Sequence, residues 1–230
     1  LSALLVIFLE HNGNPKSEPT TLPLEDVREG FKFVRDEKLI LGLMILGFAP
    51  SAFGTAVNFL LPAFNQDVLG GGPEELGILS AGMGIGALAG SMLLARLGDF
   101  NGKGRLMLQA AFGWGVAIAL FALTSNLYAA IFFGAFTAFF HNLFGSLNMS
   151  ITQLATPRYI HGRVMSLTLM INGLMPLGVI PIGAVAEFVG IEAALMFGAA
   201  MLVLIVWLLN VLFPSIKQID RGHQADGANS

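Results

Sequence analysis

Residues 76–98 read LGILSAGMGIGALAGSMLLARLG, and the chain continues directly into DFNGKGR at 99–105. An apolar helix of about 20 residues is long enough to cross a hydrocarbon core of ~30 Å. This stretch therefore predicts one membrane-spanning helix followed by a short basic loop. The same alternation recurs along the chain. Further apolar runs lie at 39–64, 104–125, 164–187 and 192–213, with another at 127–155 that polar residues interrupt.

The loops between these runs alternate in charge. When the runs are threaded up and down, all bases fall on one side, and the other side carries only acidic groups. By the positive-inside rule the basic side is cytoplasmic. We therefore expect an all-α, multi-pass protein of the cell inner membrane with a cytoplasmic C-terminus. The twelve bases are Lys16, Arg28, Lys32, Arg35, Lys38, Arg96, Lys103, Arg105, Arg158, Arg163, Lys217 and Arg221, and the acidic residues opposite are Asp67, Glu74, Glu75, Glu187 and Glu192.

The composition excludes several classes of function. Hydrophobic residues make up 55% of the chain and charged residues 12%, and the mean hydropathy is +0.74, far outside the range of soluble domains. A net charge of −3 argues against a nucleic-acid partner, and the lack of cysteine excludes thiolate metal sites. The glycine-rich stretch Gly70–Pro73 lacks the Lys-Ser/Thr of a phosphate-binding loop. We expect no catalytic residues, no metal and no cofactor, and hence not an enzyme.

The chain divides into four regions by polarity. Residues 1–9 resemble the last turns of a preceding transmembrane helix, which predicts that the chain is part of a longer protein. Residues 10–38 have the composition of a cytoplasmic linker and contain an amphipathic helix from residue 24, with apolar positions at Leu24, Val27, Phe31 and Val34. The six-helix transmembrane bundle occupies 39–213, and 214–230 form a polar cytoplasmic tail.

The six spans fall into two triples, 39–125 and 127–213, an arrangement that suggests two three-helix repeats of inverted topology. The middle helix of each triple is rich in glycine. Gly82, Gly86 and Gly90 form a ridge of small residues, which allows either tight packing within the bundle or a dimer face. Pro176 and Pro181 predict a kink in the span 164–187.

Polar residues gather on one side of the first span of each triple. At ~100° per residue, the polar side of 127–155 has Thr137, His141, Gly145, Asn148 and Thr152 in line, flanked by Asn142. The opposite side, with Phe136, Phe140, Leu143, Leu147, Ile151 and Leu154, suits lipid. A weaker polar side of 39–64 carries Ser51, Gly54, Thr55, Asn58 and Pro62.

Two interpretations of this polar side are open. It lines a watery path for a solute, or it provides structural hydrogen bonds between helices. His141 is either a proton-coupling or substrate-binding group, or a neutral imidazole bonded to a neighbouring helix. The candidate residues of the path are Thr55, Asn58, Thr137, His141, Asn142 and Asn148.

The basic loop carries a family resemblance. Residues 95–105 read ARLGDFNGKGR, which resembles the loop signature Gly-x-Leu-Ala-Asp-Arg-x-Gly-Arg-Lys of the major facilitator superfamily. Asp99 and Gly102 match the signature, whereas Ala95 and Phe100 depart from it. The resemblance implies that Asp99, Gly102, Lys103 and Arg105 brace an inner gate, with Arg163 serving a second loop similarly. The alternative is an ordinary turn with charges that set the topology.

Two further stretches are similar to one exporter branch of that superfamily, which includes the enterobactin exporter and macrolide efflux proteins. They are LEDVREGFKFVRDEKL at 24–39 and QLATPRYIHGRVMSL at 153–167. The resemblance implies helices seven to twelve of a twelve-helix fold, partnered by an N-terminal six-helix half and the lipid bilayer. It implies proton-coupled export of a small amphipathic molecule, of drug or siderophore type, by alternating access. The alternative is a non-transporting membrane scaffold or sensor.

Overall fold

The computed structural model describes residues 31–98, 100–157, 159–174 and 176–212, and within them the chain is all-helical. Residues 1–30, Asp99, Arg158, Met175 and the tail from 213 lie outside the described residues, so the predictions made for them stay open. The helices of the bundle are α1 (Lys38–Gly54), α2 (Ala56–Asp67), α3 (Pro73–Leu97), α4 (Lys103–Ala122), α5 (Leu127–Ala155), α6 (His161–Asn172), α7 (Pro176–Val189) and α8 (Ile191–Leu212).

The described residues hold five stretches long and apolar enough to cross a membrane. These are Leu39–Asp67, which joins α1 and α2, Pro73–Leu97, Lys103–Ala122, Leu127–Ala155 and Ile191–Leu212. All five coincide with predicted runs, so the multi-pass character and the all-α class agree with the sequence. Apolar length alone predicts these helices, because in hydrocarbon a backbone must satisfy its hydrogen bonds within its own segment.

The predicted span 164–187 differs, because it consists of two shorter helices. α6 ends at Asn172 and α7 begins at Pro176. Proline has no backbone N–H to donate and disfavours helical geometry at the residue before it. The interruption therefore lies immediately before one of the two prolines that predicted a kink.

The first span has only a slight interruption, at Thr55 between α1 and α2, where the backbone stays in the right-handed helical region and the Thr55 N–H still donates to the Ser51 carbonyl. The Thr55 hydroxyl donates to the same carbonyl at 2.7 Å, a bond to the preceding turn that often bends helices. This span packs against α7 close to both interruptions, because a side chain at Gly178 would collide with Ala52. The two spans therefore meet near their irregular turns.

The glycine ridge of α3 packs against the backbone of α5. A Cβ atom at Gly82 would meet Ile131, one at Gly86 would collide with the carbonyl of Ala135, and one at Gly90 would collide with that of Phe139. Along this contact the residue numbers increase in the same direction in both helices, so α3 and α5 run parallel. Of the two roles that the sequence left open for the ridge, the structure shows tight internal packing.

α4 runs antiparallel to α5 and supplies much of the core. Gly113 of α4 lies against Phe140, whereas Phe121 of α4 lies near Gly134. Residue numbers therefore increase in opposite directions along the two helices. The main buried cluster lies where the first span, α4, α5 and α8 meet. Its largest members are Trp114, Phe64, Phe121, Phe144, Leu43, Leu46 and Met107.

These directions bring the four described bases at the ends of α3, α4 and α6 to one end of the bundle. α3 and α5 finish, and α4 and α6 begin, at the same end, which carries Arg96, Lys103, Arg105 and Arg163. The opposite end of α3 begins at Pro73 and holds the acidic residues Glu74 and Glu75. The charge asymmetry read from the sequence is thus an asymmetry of the folded bundle.

Residues 31–36 are the described part of the predicted amphipathic helix. Val34 is buried with Ile160 and Val164 at the start of α6, and the ring of Phe33 lies 6.3 Å from that of Tyr159. Phe31, on the predicted apolar side, is instead 64% exposed. This segment therefore ties α1 to the loop before α6.

The α3–α5 contact predicts a sharp contrast between two glycines of one helix. Gly86→Ala forces α3 away from the Ala135 carbonyl and should lower the free energy of unfolding by ~1–3 kcal/mol, the typical cost of overpacking. Gly84→Ala is the matched control, because a Cβ there meets nothing within 4 Å. It should be neutral, or more stable by up to ~1 kcal/mol through helix propensity. Thermal unfolding of both variants in detergent measures the difference, and equal stabilities would contradict the packing described.

Candidate functional site

α5 presents two packed sides and two open sides. One packed side contacts α3 through Ala135 and Phe139, and the other contacts α4 and α1 through Phe144 and Asn148. Between them lies a side that we call the open polar face, which consists of exposed or half-buried residues. Its members are His141, Asn142, Gly145 and Met149.

The other open side of α5 is apolar and covers only part of the predicted lipid-facing surface. Phe132 and Phe136 are exposed there. Leu143, Leu147 and Ile151 are fully buried in the same cluster as Met107 of α4, so the expectation that they face lipid is wrong. The 3.6-residue period shows that a side is apolar but does not show whether another helix covers it.

Asn148 lies in a packed contact between α5 and α1. It is buried, and its Nδ2 donates to the Leu43 carbonyl at 3.0 Å and approaches the Met107 sulfur at 3.8 Å. Gly47 allows this approach, since a Cβ there would lie 2.6 Å from the Asn148 Oδ1. This arrangement matches the structural hydrogen bonding that the sequence left open as one of two roles.

The threonine hydroxyls of the polar stripe bond to their own helices. Thr137 is 3% exposed and donates to the Phe133 carbonyl at 3.0 Å. Thr152 is buried and donates to the Asn148 carbonyl at 2.8 Å, and Thr55 is bonded in the same way to Ser51. Such bonds let a hydroxyl lie within a hydrocarbon-spanning helix without an unsatisfied donor.

Asn142 lies at the edge of the open polar face towards α3. Its Oδ1 accepts a hydrogen bond from the Ser91 hydroxyl at 2.9 Å. Ser91 also donates to the Ala87 carbonyl at 3.2 Å. Asn142 is half-buried, so its side chain combines a helix contact with partial exposure.

His141 lies at the other edge, on a tryptophan of α4. Its ring is half-buried and stacks on Trp114, with ring centroids 4.5 Å apart and an interplanar angle of 29°. Trp114 is 1% exposed and also lies against Phe144 and Gly54. Sequence reasoning did not identify Trp114, because a lone tryptophan in an apolar span has no periodic pattern to reveal it. Its rarity was the signal, since the chain has only two tryptophans.

Asn58 is exposed and lies in α2, three residues beyond the interruption at Thr55. Gly54, immediately before that interruption, packs on Trp114, which in turn stacks on His141. The break in the first span and the imidazole of α5 are therefore at the same level of the bundle.

The predicted gate residues that the structure describes all lie at the basic end of the bundle. Gly102 has a φ of +109°, a conformation that a residue with a side chain rarely adopts, and it precedes α4 directly. Lys103 and Arg105 lie in the first turn of α4, where the helix dipole disfavours positive charge. Arg163 occupies the first turn of α6. The helix dipole therefore does not explain why these bases are there.

No group of three or more His, Asp or Glu side chains that could hold a metal ion is found among the residues described. The groups gathered around α5 are amides, hydroxyls, one imidazole and aromatic rings. Such groups can bind a solute through hydrogen bonds and stacking, and they form a surface suited to recognition.

Comparison with known proteins gives consistent similarities. A family model described as "Transmembrane secretion effector" matches residues 1–226. The multidrug efflux pump Tap of Mycolicibacterium fortuitum is 25% identical over 221 residues, which are 95% of this chain and 53% of that protein. Macrolide efflux protein A of Streptococcus pyogenes is 23% identical over 200 residues, 85% of this chain and 48% of that protein.

The enterobactin exporter EntS of Shigella boydii serotype 18 is 28% identical over 150 residues, which are 65% of this chain and 36% of that protein. The chain thus spans about half the length, or less, of these curated relatives. No solved structure shows a significant match.

The bond from Asn148 to α1 predicts different roles for two asparagines. Asn148→Ala removes the hydrogen bond to Leu43 and should destabilise the protein by ~0.6–1.7 kcal/mol, the range measured for hydrogen bonds between membrane helices. Asn58→Ala is the control and should leave stability nearly unchanged, because Asn58 is exposed. Thermal unfolding in detergent compares the two, and a larger loss for Asn58→Ala would contradict these assignments.

Proposed function

Because this chain belongs to the Transmembrane secretion effector family, within the major facilitator superfamily, we propose that it is part of an exporter of small amphipathic molecules, of drug or siderophore type. The observation that carries the proposal is the open polar face of α5, on which the polar side chains of His141 and Asn142 are left partly uncovered in a membrane-spanning helix. Polar groups are costly in lipid, so a solute-filled path explains their exposure. The similarity to drug, macrolide and enterobactin exporters supports this class of cargo.

We propose that residues 39–213 act as helices seven to twelve, built as two three-helix repeats of inverted topology. α6 and α7 together then form the fifth of the six spans, interrupted before Pro176. An N-terminal six-helix half faces this one across the path. The protein lies in the inner membrane with residues 10–38 and the C-terminus in the cytoplasm, an orientation supported by the bases gathered at one end of the bundle.

The six candidate residues of the path then divide into two groups. His141, Asn142, Asn58 and Thr55 are exposed or half-buried and contact the solute. Thr137 and Asn148 are buried and bonded to protein carbonyls, so they hold α5 in place behind the path. This division supports both interpretations of the polar stripe, each for a different part of it.

Transport proceeds by alternating access, with proton exchange as the driving reaction. The basic end of the bundle, with Gly102, Lys103, Arg105 and Arg163, braces the inward side, together with Asp99. Interruptions in the first span and between α6 and α7 supply the points at which these spans bend. Bending there requires few backbone hydrogen bonds to change.

Export is tested with membrane vesicles of inverted orientation that contain the full-length protein, this chain together with its N-terminal half, and are energised by a pH gradient. Uptake of ethidium and of erythromycin into such vesicles should exceed that of vesicles without the protein, and it should fall when a protonophore collapses the gradient. Membrane insertion of the protein is checked by immunoblot. Correctly inserted protein that moves neither probe would contradict the proposed function and favour a scaffold or sensor.

Thiol accessibility tests whether the open polar face is wet, in a chain that has no cysteine of its own. Single substitutions Asn58→Cys and His141→Cys should react with membrane-impermeant thiol reagents, because these positions are exposed or half-buried. Thr137→Cys, one turn before His141 but only 3% exposed, should be protected.

Phe132→Cys is the lipid-facing control, because Phe132 is 56% exposed on the apolar side of α5. A thiol in hydrocarbon is not reached by a polar reagent, so this position should also be protected. If all four positions are protected from both sides of the membrane, the polar face is a seam between helices and not a path.

A further inference from the structure

The stack of His141 on Trp114 gives the imidazole one covered side and one uncovered side. Ring centroids 4.5 Å apart at 29° are within the range of favourable aromatic pairs, which contribute about 0.5–1.5 kcal/mol beyond the area they bury. Because His141 is half-buried while Trp114 is 1% exposed, the indole lies behind the imidazole as seen from the open polar face. The indole therefore covers one face of the imidazole ring.

The indole is held in turn by the end of α1. A Cβ atom at Gly54 would collide with the Trp114 ring and would lie 2.8 Å from the Leu202 side chain. Gly54 is the last residue of α1, directly before the interruption at Thr55. The Trp114 ring thus contacts both the end of α1, next to the slight interruption at Thr55, and the imidazole on the open polar face.

Packing alone does not account for an indole at this position. The Trp114 Nε1 is buried and has no hydrogen-bond partner in the part of the chain that the structure describes. An unsatisfied buried donor costs about 1–3 kcal/mol, which a phenylalanine or leucine would avoid.

We infer that Trp114 is a positioning residue of the exporter: it orients the His141 ring towards the open polar face and couples that orientation to the junction of α1 and α2. The inference rests on the proposed function for its role in transport. The positioning itself concerns three contacting residues, Gly54, Trp114 and His141, and is measurable without transport. When the first span bends at Thr55, Gly54 moves the indole, and the indole changes the presentation of His141 to the solute.

The experiment measures how fast diethylpyrocarbonate modifies His141, followed by peptide mass spectrometry on the protein in lipid nanodiscs. Trp114→Leu removes the stack, and Gly54→Ala displaces the indole from the other side. Both should raise the rate at His141 by about 2- to 10-fold, the equivalent of one aromatic pair. Trp114→Phe keeps a ring against the imidazole and should stay close to the parent rate.

Two internal controls separate positioning from loss of fold. His161, at the start of α6, should keep its rate in every variant, and Gly84→Ala should change neither histidine. If Trp114→Leu raises both histidine rates, that variant has lost its fold and Gly54→Ala decides the question. Unchanged rates at His141 in a folded Trp114→Leu or Gly54→Ala protein overturn the inference.

Transport kinetics then test the coupling. If Trp114 acts through His141, Trp114→Leu raises the KM for ethidium about 2- to 10-fold, and Trp114→Leu combined with His141→Asn has the KM of His141→Asn alone. Independent, additive effects overturn the coupling. A parent protein that exports no probe contradicts the proposed function, whereas the modification rates still decide whether Trp114 positions His141.

Discussion

The whole structure follows from one constraint, that hydrocarbon offers no hydrogen-bond partner to a peptide group. Each spanning segment must close its own backbone bonds, so each is a helix. Lipid is as apolar as the helix surfaces, so burying apolar area does not hold the helices together. The helices are therefore held together by close contact and by a few hydrogen bonds between them. The ridge of Gly82, Gly86 and Gly90 makes close contact with α5, and Asn148 donates a hydrogen bond to the Leu43 carbonyl.

Two spans depart from a continuous regular helix. The first span has a slight interruption at Thr55, and the span of α6 and α7 is interrupted before Pro176. Ala52 and Gly178 bring these two spans together near these points. Trp114 joins the first of them to the open polar face through Gly54 and His141.

Residues of the polar stripe of α5 have two different structural roles, although they share one sequence pattern. Asn148 and His141 are seven residues apart on one side of the helix, yet Asn148 is a buried bond to α1 and His141 is at an open edge. Thr137, one turn before His141, is covered and bonded to its own helix. Neighbouring residues cover Thr137 and Asn148, whereas Gly145 between them is exposed and His141 is half-buried. One part of this polar side therefore bonds α5 to α1, and another part forms an exposed surface.

The sequence alone determined the helical class, five of the membrane-spanning stretches, the one-sided bases and the family, because apolar length, charge and local motifs are properties of contiguous residues. It also predicted the kink near Pro176, since proline acts on its own turn. The helical period of the sequence did not show that Leu143 is buried whereas Phe136 is exposed, or that Asn148 is buried whereas His141 is half-buried. It gave no sign that Trp114 and Gly54 meet across α4 and α1. These were decided only by the tertiary structure, because burial and contact depend on which other helix packs there.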